Sequence, residues 1–356
     1  MKIGILTFHQ ALNYGAILQA YALQCYIGNN FFDVHSEIID YHSAKLSREH
    51  SISKIFFSNG ISKIPFRLIN LYVKKMKFRK FIRNNIKLSE AFYNPSTIEL
   101  AMPLYNLFIV GSDQVWNTEI TDGDMNYFLE FAAPPQRFSY AASFGVNQMQ
   151  NKYRNHAKRL LNEFAKISVR ESNSIDLLEN IGVNRNVCVN IDPTMLLKKE
   201  EWDKLVAKVN RKKKYVFIYT IHHSEQIISL AQKFSKTNNY EIIYVGPYAG
   251  LTGLKYIPFP RVEKLLGLFK EAEYVFTNSF HGSVFSILFH KKFLVNPMYT
   301  DGRNDRINSL LLSCGLLNRK MDDINGLNED IDWERVDCRL NREREEAYCY
   351  LGKILR

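Results

Sequence analysis

Short apolar runs, each closed by a polar or glycine-containing turn and followed by residues at helical spacing, recur from one end of the chain to the other. Lys2–Phe8 predicts a first strand, His9–Gly15 the loop after it, and Ala16–Tyr26 an Ala/Leu-rich helix. Glu37–Asp40 predicts a second strand. Leu107-Phe108-Ile109-Val110 is wholly apolar, as expected of a parallel strand buried on both faces. Arg137–Gly145, Ile167–Val169 and Val187–Ile191 predict further strands, with helices at Asn155–Phe164 and from Ser172 to Ile181. Asp192-Pro193-Thr194 breaks the pattern, and the proline suits a boundary. The alternation then restarts with strands at Lys214–Thr220, Glu241–Val245, Tyr274–Phe276 and Phe293–Val295. Helices are expected at Glu225–Thr237, Val262–Lys270, from Gly282, and at Ile307–Cys314. Strands alternating with helices argue for parallel sheets. The reading is therefore α/β, with two Rossmann-like domains at 1–196 and 197–338 and a C-terminal helix at 339–356. Residues 43–100 interrupt the first domain as a polar, basic, mostly helical insertion.

The 356 residues suffice for two such domains. No apolar run reaches the ~20 residues of a membrane span. The N-terminus enters a strand-like run directly and lacks the pattern of a signal peptide. Five scattered cysteines without a C-x-x-C pair predict a reduced chain with no structural zinc. These features together predict a cytoplasmic protein. The net charge of +11 is partly local: residues 63–87 hold nine Lys or Arg and no acid. A solvated helix face explains such a run, and so does attraction to an anionic membrane surface or a diphosphate-bearing acceptor. No nucleic-acid-binding motif accompanies the charge, so no nucleic-acid partner is expected.

Candidate chemistry gathers where strands are expected to end. Thr277-Asn278-Ser279 is a turn and N-cap sequence between a short apolar strand and a helix. Such a turn lies at the carboxyl edge of a parallel sheet, where the helix N-terminus favours anions. His281 follows, an imidazole able to move a proton near neutral pH or to serve as a structural histidine. Gly111-Ser112-Asp113-Gln114, with Trp116 and Asn117, crowds polar groups after the Leu107–Val110 strand. Arg170 ends another strand, where its guanidinium can take a carboxylate or phosphate. Asn13-Tyr14-Gly15 stands where a phosphate-binding turn would, without a G-x-G-x-x-G or Walker pattern. Residues 299–306 form a polar, Gly-containing loop that carries Asn304 and Arg306. Adjacent His222 and His223 point to opposite faces of an extended segment, and no H-E-x-x-H accompanies them. No metal is expected.

Taken in order, these pieces resemble the polysaccharide pyruvyl transferase family. The resemblance rests on Gly4-Ile5-Leu6-Thr7, Asn13-Tyr14-Gly15-Ala16, Leu18-Gln19-Ala20, the block from Val110 to Asn117, Ser139–Gly145, Ser168-Val169-Arg170-Glu171, Asp192-Pro193-Thr194, Ser279-Phe280-His281-Gly282 and Asn304-Asp305-Arg306-Ile307. Residues 43–100 and 317–356 carry little of it. It implies two Rossmann-like halves facing a cleft, similar to the B-type glycosyltransferase architecture. It implies transfer of pyruvate from phosphoenolpyruvate, as co-substrate and without a cofactor, to two hydroxyls of a sugar as a cyclic ketal, in surface polysaccharide biosynthesis.

His281 and Asp113 are then the expected catalytic groups. Arg170, Ser279, Gly282, Ser283, Asn304 and Arg306 are expected around the donor. Asn13, Tyr14, Gly15, Ser112, Gln114, Trp116 and Tyr140 are expected on the acceptor side. Many members carry an Arg two residues before the motif histidine, where this chain has Ser279. Another cation, Arg170 or Arg306, must then meet the donor. The basic stretch suits a glycan precursor on a polyprenyl diphosphate at the inner face of the cytoplasmic membrane. Two other functions share the fold: nucleotide-sugar glycosyl transfer and non-catalytic glycan binding. The first commonly uses a C-terminal-domain Glu for the donor ribose, and none occurs between Glu273 and Glu329.

Overall fold

The computed structural model describes residues 1–49, 64–247, 250, 252–297, 305–320, 324–327 and 329–356. They form two compact units: Met1–Leu196 with Glu343–Arg356, and the described residues between 197 and 342.

The first unit is built on a parallel sheet of β1 (Lys2–Leu6), β2 (His35–Tyr41), β3 (Leu88–Tyr93), β4 (Leu107–Val110) and β5 (Arg137–Ser139), in the order β3-β2-β1-β4-β5. A parallel pair, β6 (Ile167–Val169) and β7 (Val187–Val189), joins through the bridges Phe138↔Lys166 and Ala142↔Val169. The central strands β1 and β4 are almost wholly buried. That is why they read as unbroken apolar runs rather than alternating ones. Helix α1 (Tyr14–Asn30) begins where Asn13 Oδ1 accepts from the Gly15 N–H at 2.9 Å. Apolar side chains of these strands pack with Trp116, Phe128, Phe144 and Phe164 in one continuous core.

The second unit repeats the plan. Its parallel strands β8 (Tyr215–Tyr219), β9 (Glu241–Val245), β10 (Lys255–Tyr256), β11 (Tyr274–Thr277) and β12 (Lys292–Val295) run in the order β10-β9-β8-β11-β12. In both sheets the order reverses beside the first strand, between β1 and β4 and between β8 and β11. Open α/β sheets bind ligands at the carboxyl ends of strands at such a reversal.

Two expectations need correction, and two strands go unpredicted. Residues 43–100 are not simply a helical insertion. Helix α2 (Ile64–Asn85) connects β2 to β3, and β3 is an edge strand of the main sheet. The sequence Leu88-Ser89-Glu90-Ala91-Phe92-Tyr93 does not alternate, because a register shift between Ile38 and Asp40 interrupts its pairing. At that shift the Asp40 N–H donates to Ser89 Oγ at 2.9 Å. The two-residue strand β10 was likewise not expected. The last helix, Trp333–Leu355, starts well before residue 339 and packs from Glu343 onward with the first unit. There Tyr350 Oη donates to Ser139 O at 2.8 Å. None of the described helices is long and apolar enough to cross a membrane.

Candidate functional site

In the second unit the β11 turn is held by its own polar side chains. Thr277 Oγ1 donates to Tyr219 O at 2.7 Å and accepts from the Ser279 N–H at 3.0 Å. Asn278 ties this turn to the loop after β8, accepting from the Ile221 N–H at 2.9 Å and donating to His222 O at 2.9 Å. Ser279 caps the helix Phe280–Leu288, its Oγ accepting from the Gly282 N–H at 3.2 Å. A Cβ on Gly282 would meet Thr277 Oγ1 and lie 3.0 Å from the Tyr219 ring, so glycine lets the helix seat on the strands. Ser283 is buried and donates to Ser279 O at 3.2 Å. Ser279, Gly282 and Ser283 therefore build the turn.

What the turn presents is His281. Its partly exposed ring stands edge-on to Phe280, with centroids 5.1 Å apart. The Arg306 guanidinium lies over the same Phe280 ring, 6.0 Å from the centroid. An imidazole, a guanidinium and a helix N-terminus thus share one corner of this unit, all favourable to an anion. Asn304 lies outside the described residues.

In the first unit the reversal between β1 and β4 carries the Gly111 turn. Gly111 has φ 108°, and a Cβ there would collide with Tyr140 O. Ser112 is buried, its Oγ donating to Ala141 O at 2.7 Å while its carbonyl accepts from Thr7 Oγ1 at 3.0 Å. Asp113 is partly exposed, with Oδ1 accepting from the Gln114 N–H at 2.8 Å and 3.8 Å from Arg170 Nη2. Gln114 Oε1 accepts from Asn117 Nδ2 at 3.1 Å.

Arg170 is not an open anion clamp. Its side chain is 2% exposed and lies among three carboxylates: Asp192 at 2.8 Å, Glu171 at 3.6 Å and Asp113 at 3.8 Å. Burial disfavours its charge, but Asp192, Glu171 and Asp113 outweigh burial and raise its pKa above the ordinary value. Glu171 also accepts from Ser143 Oγ at 2.6 Å and Ser174 Oγ at 3.0 Å. Asp192 accepts from the Thr194 N–H at 3.0 Å and Thr194 Oγ1 at 2.6 Å. An added phosphate would meet more negative charge than positive.

Two expected acceptor residues are core. Trp116 is fully buried, stacked on Phe128 at 5.9 Å, with Nε1 donating to Tyr127 O at 3.0 Å. Tyr140 is fully buried and donates to Ile191 O at 3.2 Å. Neither has surface left for a saccharide. Tyr14 is buried against Phe78, centroids 4.8 Å apart, and Gly15 is buried behind the exposed Asn13 cap.

A cluster at the carboxyl ends of β1 and β2 was not anticipated. Asp40 Oδ1 is 3.0 Å from His9 Nε2, 3.1 Å from His42 Nε2 and 2.6 Å from Gln10 Nε2. His9 is buried, with Nδ1 3.3 Å from Thr7 O, and His42 is partly exposed. The sequence signal was available: His9-Gln10 follows the first strand, Asp40 nears the end of the second, and neighbouring parallel strands end side by side. Burial opposes ionisation of Asp40, but His9, Gln10 and His42 outweigh it and hold the carboxyl below its ordinary 3.8.

A lowered folded pKa means that the ionised form favours the fold. Its contribution is fully present above about pH 4 and fades as pH falls through the folded value. Asp40→Asn should therefore cost stability at pH 7 and little at pH 2. Urea midpoints of both proteins at the two pH values check this, and a pH-independent difference would contradict it.

A sequence search of curated proteins gives no significant match. Solved structures do. The Listeria monocytogenes protein described as a UDP-N-acetylglucosamine 2-epimerase superposes with TM-score 0.52 at 11% identity, over 98% of this chain and 90% of that one. The UDP complex of MnaA from S. aureus gives 0.50 at 12% identity, over 95% and 90%. The UDP-GlcNAc 2-epimerase of Methanocaldococcus jannaschii overlaps 100% and 99% of the two chains at 13% identity, with TM-score 0.47. The first two likenesses are of fold alone, two α/β domains with parallel sheets. The sequence profile described as "Polysaccharide pyruvyl transferase" matches residues 13–295. That span is most of the chain and takes in the Gly111 and Ser279–His281 turns, and with it the chain belongs to the polysaccharide pyruvyl transferase family.

Proposed function

We propose that this protein transfers pyruvate from phosphoenolpyruvate to two hydroxyls of a saccharide, forming a cyclic ketal and releasing phosphate. The observation that carries the reading is the corner formed by His281, Phe280 and Arg306 at a helix N-terminus. Phosphoenolpyruvate is a small molecule bearing a phosphate and a carboxylate. Guanidinium, imidazole and helix N–H groups are what such a ligand calls for.

In this reading His281 delivers a proton to the methylene carbon, or holds the phosphate while that proton arrives. The central carbon becomes electrophilic and a sugar hydroxyl attacks it. Phosphate departs with its bridging oxygen, and a second hydroxyl closes the ketal. Of the two hydroxyl protons lost, one balances the proton now in the methyl group and the other leaves with phosphate. Arg306, rather than Arg170, supplies the cation absent at Ser279. Asp113 takes a proton from the acceptor, and the Asp40–His42 pair stands as a further acceptor-side candidate. No cofactor or metal enters, and phosphoenolpyruvate is the co-substrate. The acceptor is a saccharide, carried on a polyprenyl diphosphate at the cytoplasmic face of the membrane.

Thermal unfolding with phosphoenolpyruvate, compared with a panel of sugar nucleotides at fixed salt, tests the donor. A ligand at ~100 times its dissociation constant adds about 2.7 kcal/mol, a visible shift in Tm. We expect the shift with phosphoenolpyruvate and its loss in Arg306→Ala. A shift with a sugar nucleotide alone would assign glycosyl transfer instead.

A further inference from the structure

Helix α2 shows two faces that its composition does not explain. Phe78 and Phe81 are buried, and Lys74 lies over the Phe78 ring at 5.7 Å, its amine brought down to about 8 by burial. On the other side Ile69, Tyr72, Val73 and Met76 are 61%, 65%, 37% and 49% exposed. Their spacing is i, i+3, i+4, i+7, one continuous stripe at about 100° per residue.

The same rotation puts Lys80 and Arg83 on the stripe's own line, one and two turns beyond Met76. It puts Lys75 and Arg79 along one flank and Lys77 along the other. Arg79, Lys80 and Arg83 are exposed, and the helix contains no Asp or Glu. A solvated charged face does not require four large apolar side chains in a row.

We propose that this face of α2 docks the protein on an anionic lipid surface, the apolar stripe entering the interface and the basic rim meeting lipid phosphates. An apolar stripe bordered by cations, on a helix without an acid, is the pattern of a helix that lies in a membrane interface. Each basic side chain near charged lipid contributes on the order of 1 kcal/mol, about fivefold in partitioning. The inference stands apart from the donor chemistry, since it concerns where the protein sits and not what it transfers.

Co-sedimentation of the full chain with phosphatidylglycerol-containing vesicles, against vesicles of phosphatidylcholine alone, tests it. The protein is expected to pellet with the anionic vesicles and to be released by high salt. Val73→Glu/Met76→Glu should abolish the binding. Arg79→Gln/Lys80→Gln/Arg83→Gln should weaken it roughly a hundredfold. These exposed positions leave the core untouched, and far-UV circular dichroism verifies each fold; if the stripe variant unfolds, the charge variant decides. Absence of wild-type binding would overturn the proposal, as would binding unchanged in both folded variants. So would a concentration-dependent dimer that the stripe variant dissolves, which would assign the stripe to a second copy of the chain.

Discussion

His281→Ala should lower turnover by a factor of about 10² to 10⁴, the range that a positioned acid–base group contributes. Its fold should survive. The residue is partly exposed on the first turn of Phe280–Leu288, with Nε2 buried, and its ring stands edge-on to Phe280 at 5.1 Å. Such an aromatic contact is worth about 0.5–1.5 kcal/mol beyond burial. The turn beneath is held by hydrogen bonds from Thr277 to Tyr219 O, from Asn278 to His222 O and from the Gly282 N–H to Ser279 Oγ. Turnover and urea midpoint, measured on the same preparation, separate the two roles. A small midpoint shift with nearly complete loss of rate assigns His281 to the chemistry. A large stability loss with activity falling only as the unfolded fraction grows would make it a structural histidine.

Arg170→Ala should produce the opposite pattern. Removing the guanidinium leaves Asp192 and Glu171 buried without their cation, and Asp113 without its neighbour. Breaking a buried ion pair from one side costs about 3–5 kcal/mol, because the remaining charges keep their desolvation penalty. Arg170→Lys should recover only part of this, since one ammonium cannot spread over three carboxylates as a planar guanidinium does. In the folded fraction, stabilisation by phosphoenolpyruvate should persist. Equilibrium denaturation with and without phosphoenolpyruvate reads both quantities. A variant as stable as the parent that no longer responds to phosphoenolpyruvate would return Arg170 to the donor.

Much of the fold was legible because buried parallel strands announce themselves. The runs at Leu107–Val110 and Glu241–Val245 coincide with β4 and β9. Edge strands do not, and Leu88–Tyr93 is one: a half-exposed edge with a register shift has neither continuous nor alternating apolarity. The site was legible at the level of turns. Gly111–Asp113 and Ser279–His281 both lie where strands end at a reversal of sheet order. Which side chains the turns present was harder to read. Trp116 and Arg170 stand within polar motifs, yet one fills the core and the other neutralises buried acids. Burial of that kind depends on contacts distant in sequence, such as Trp116 with Phe164 and Arg170 with Asp192. Asp40 illustrates the converse. It looks like one more residue in a strand, and only the pairing of β1 with β2 brings His9 to it.

The central claim is that the transferred group comes from phosphoenolpyruvate. The measurement that tests it most directly is release of inorganic phosphate from phosphoenolpyruvate when the protein is given lipid-linked glycans, with mass analysis of the glycan. Phosphate release is expected to depend on the glycan, with a product carrying a ketal-linked pyruvyl group, and both are expected to be lost in His281→Ala. A glycan that gains a sugar from a sugar nucleotide, with phosphoenolpyruvate left intact, would contradict it.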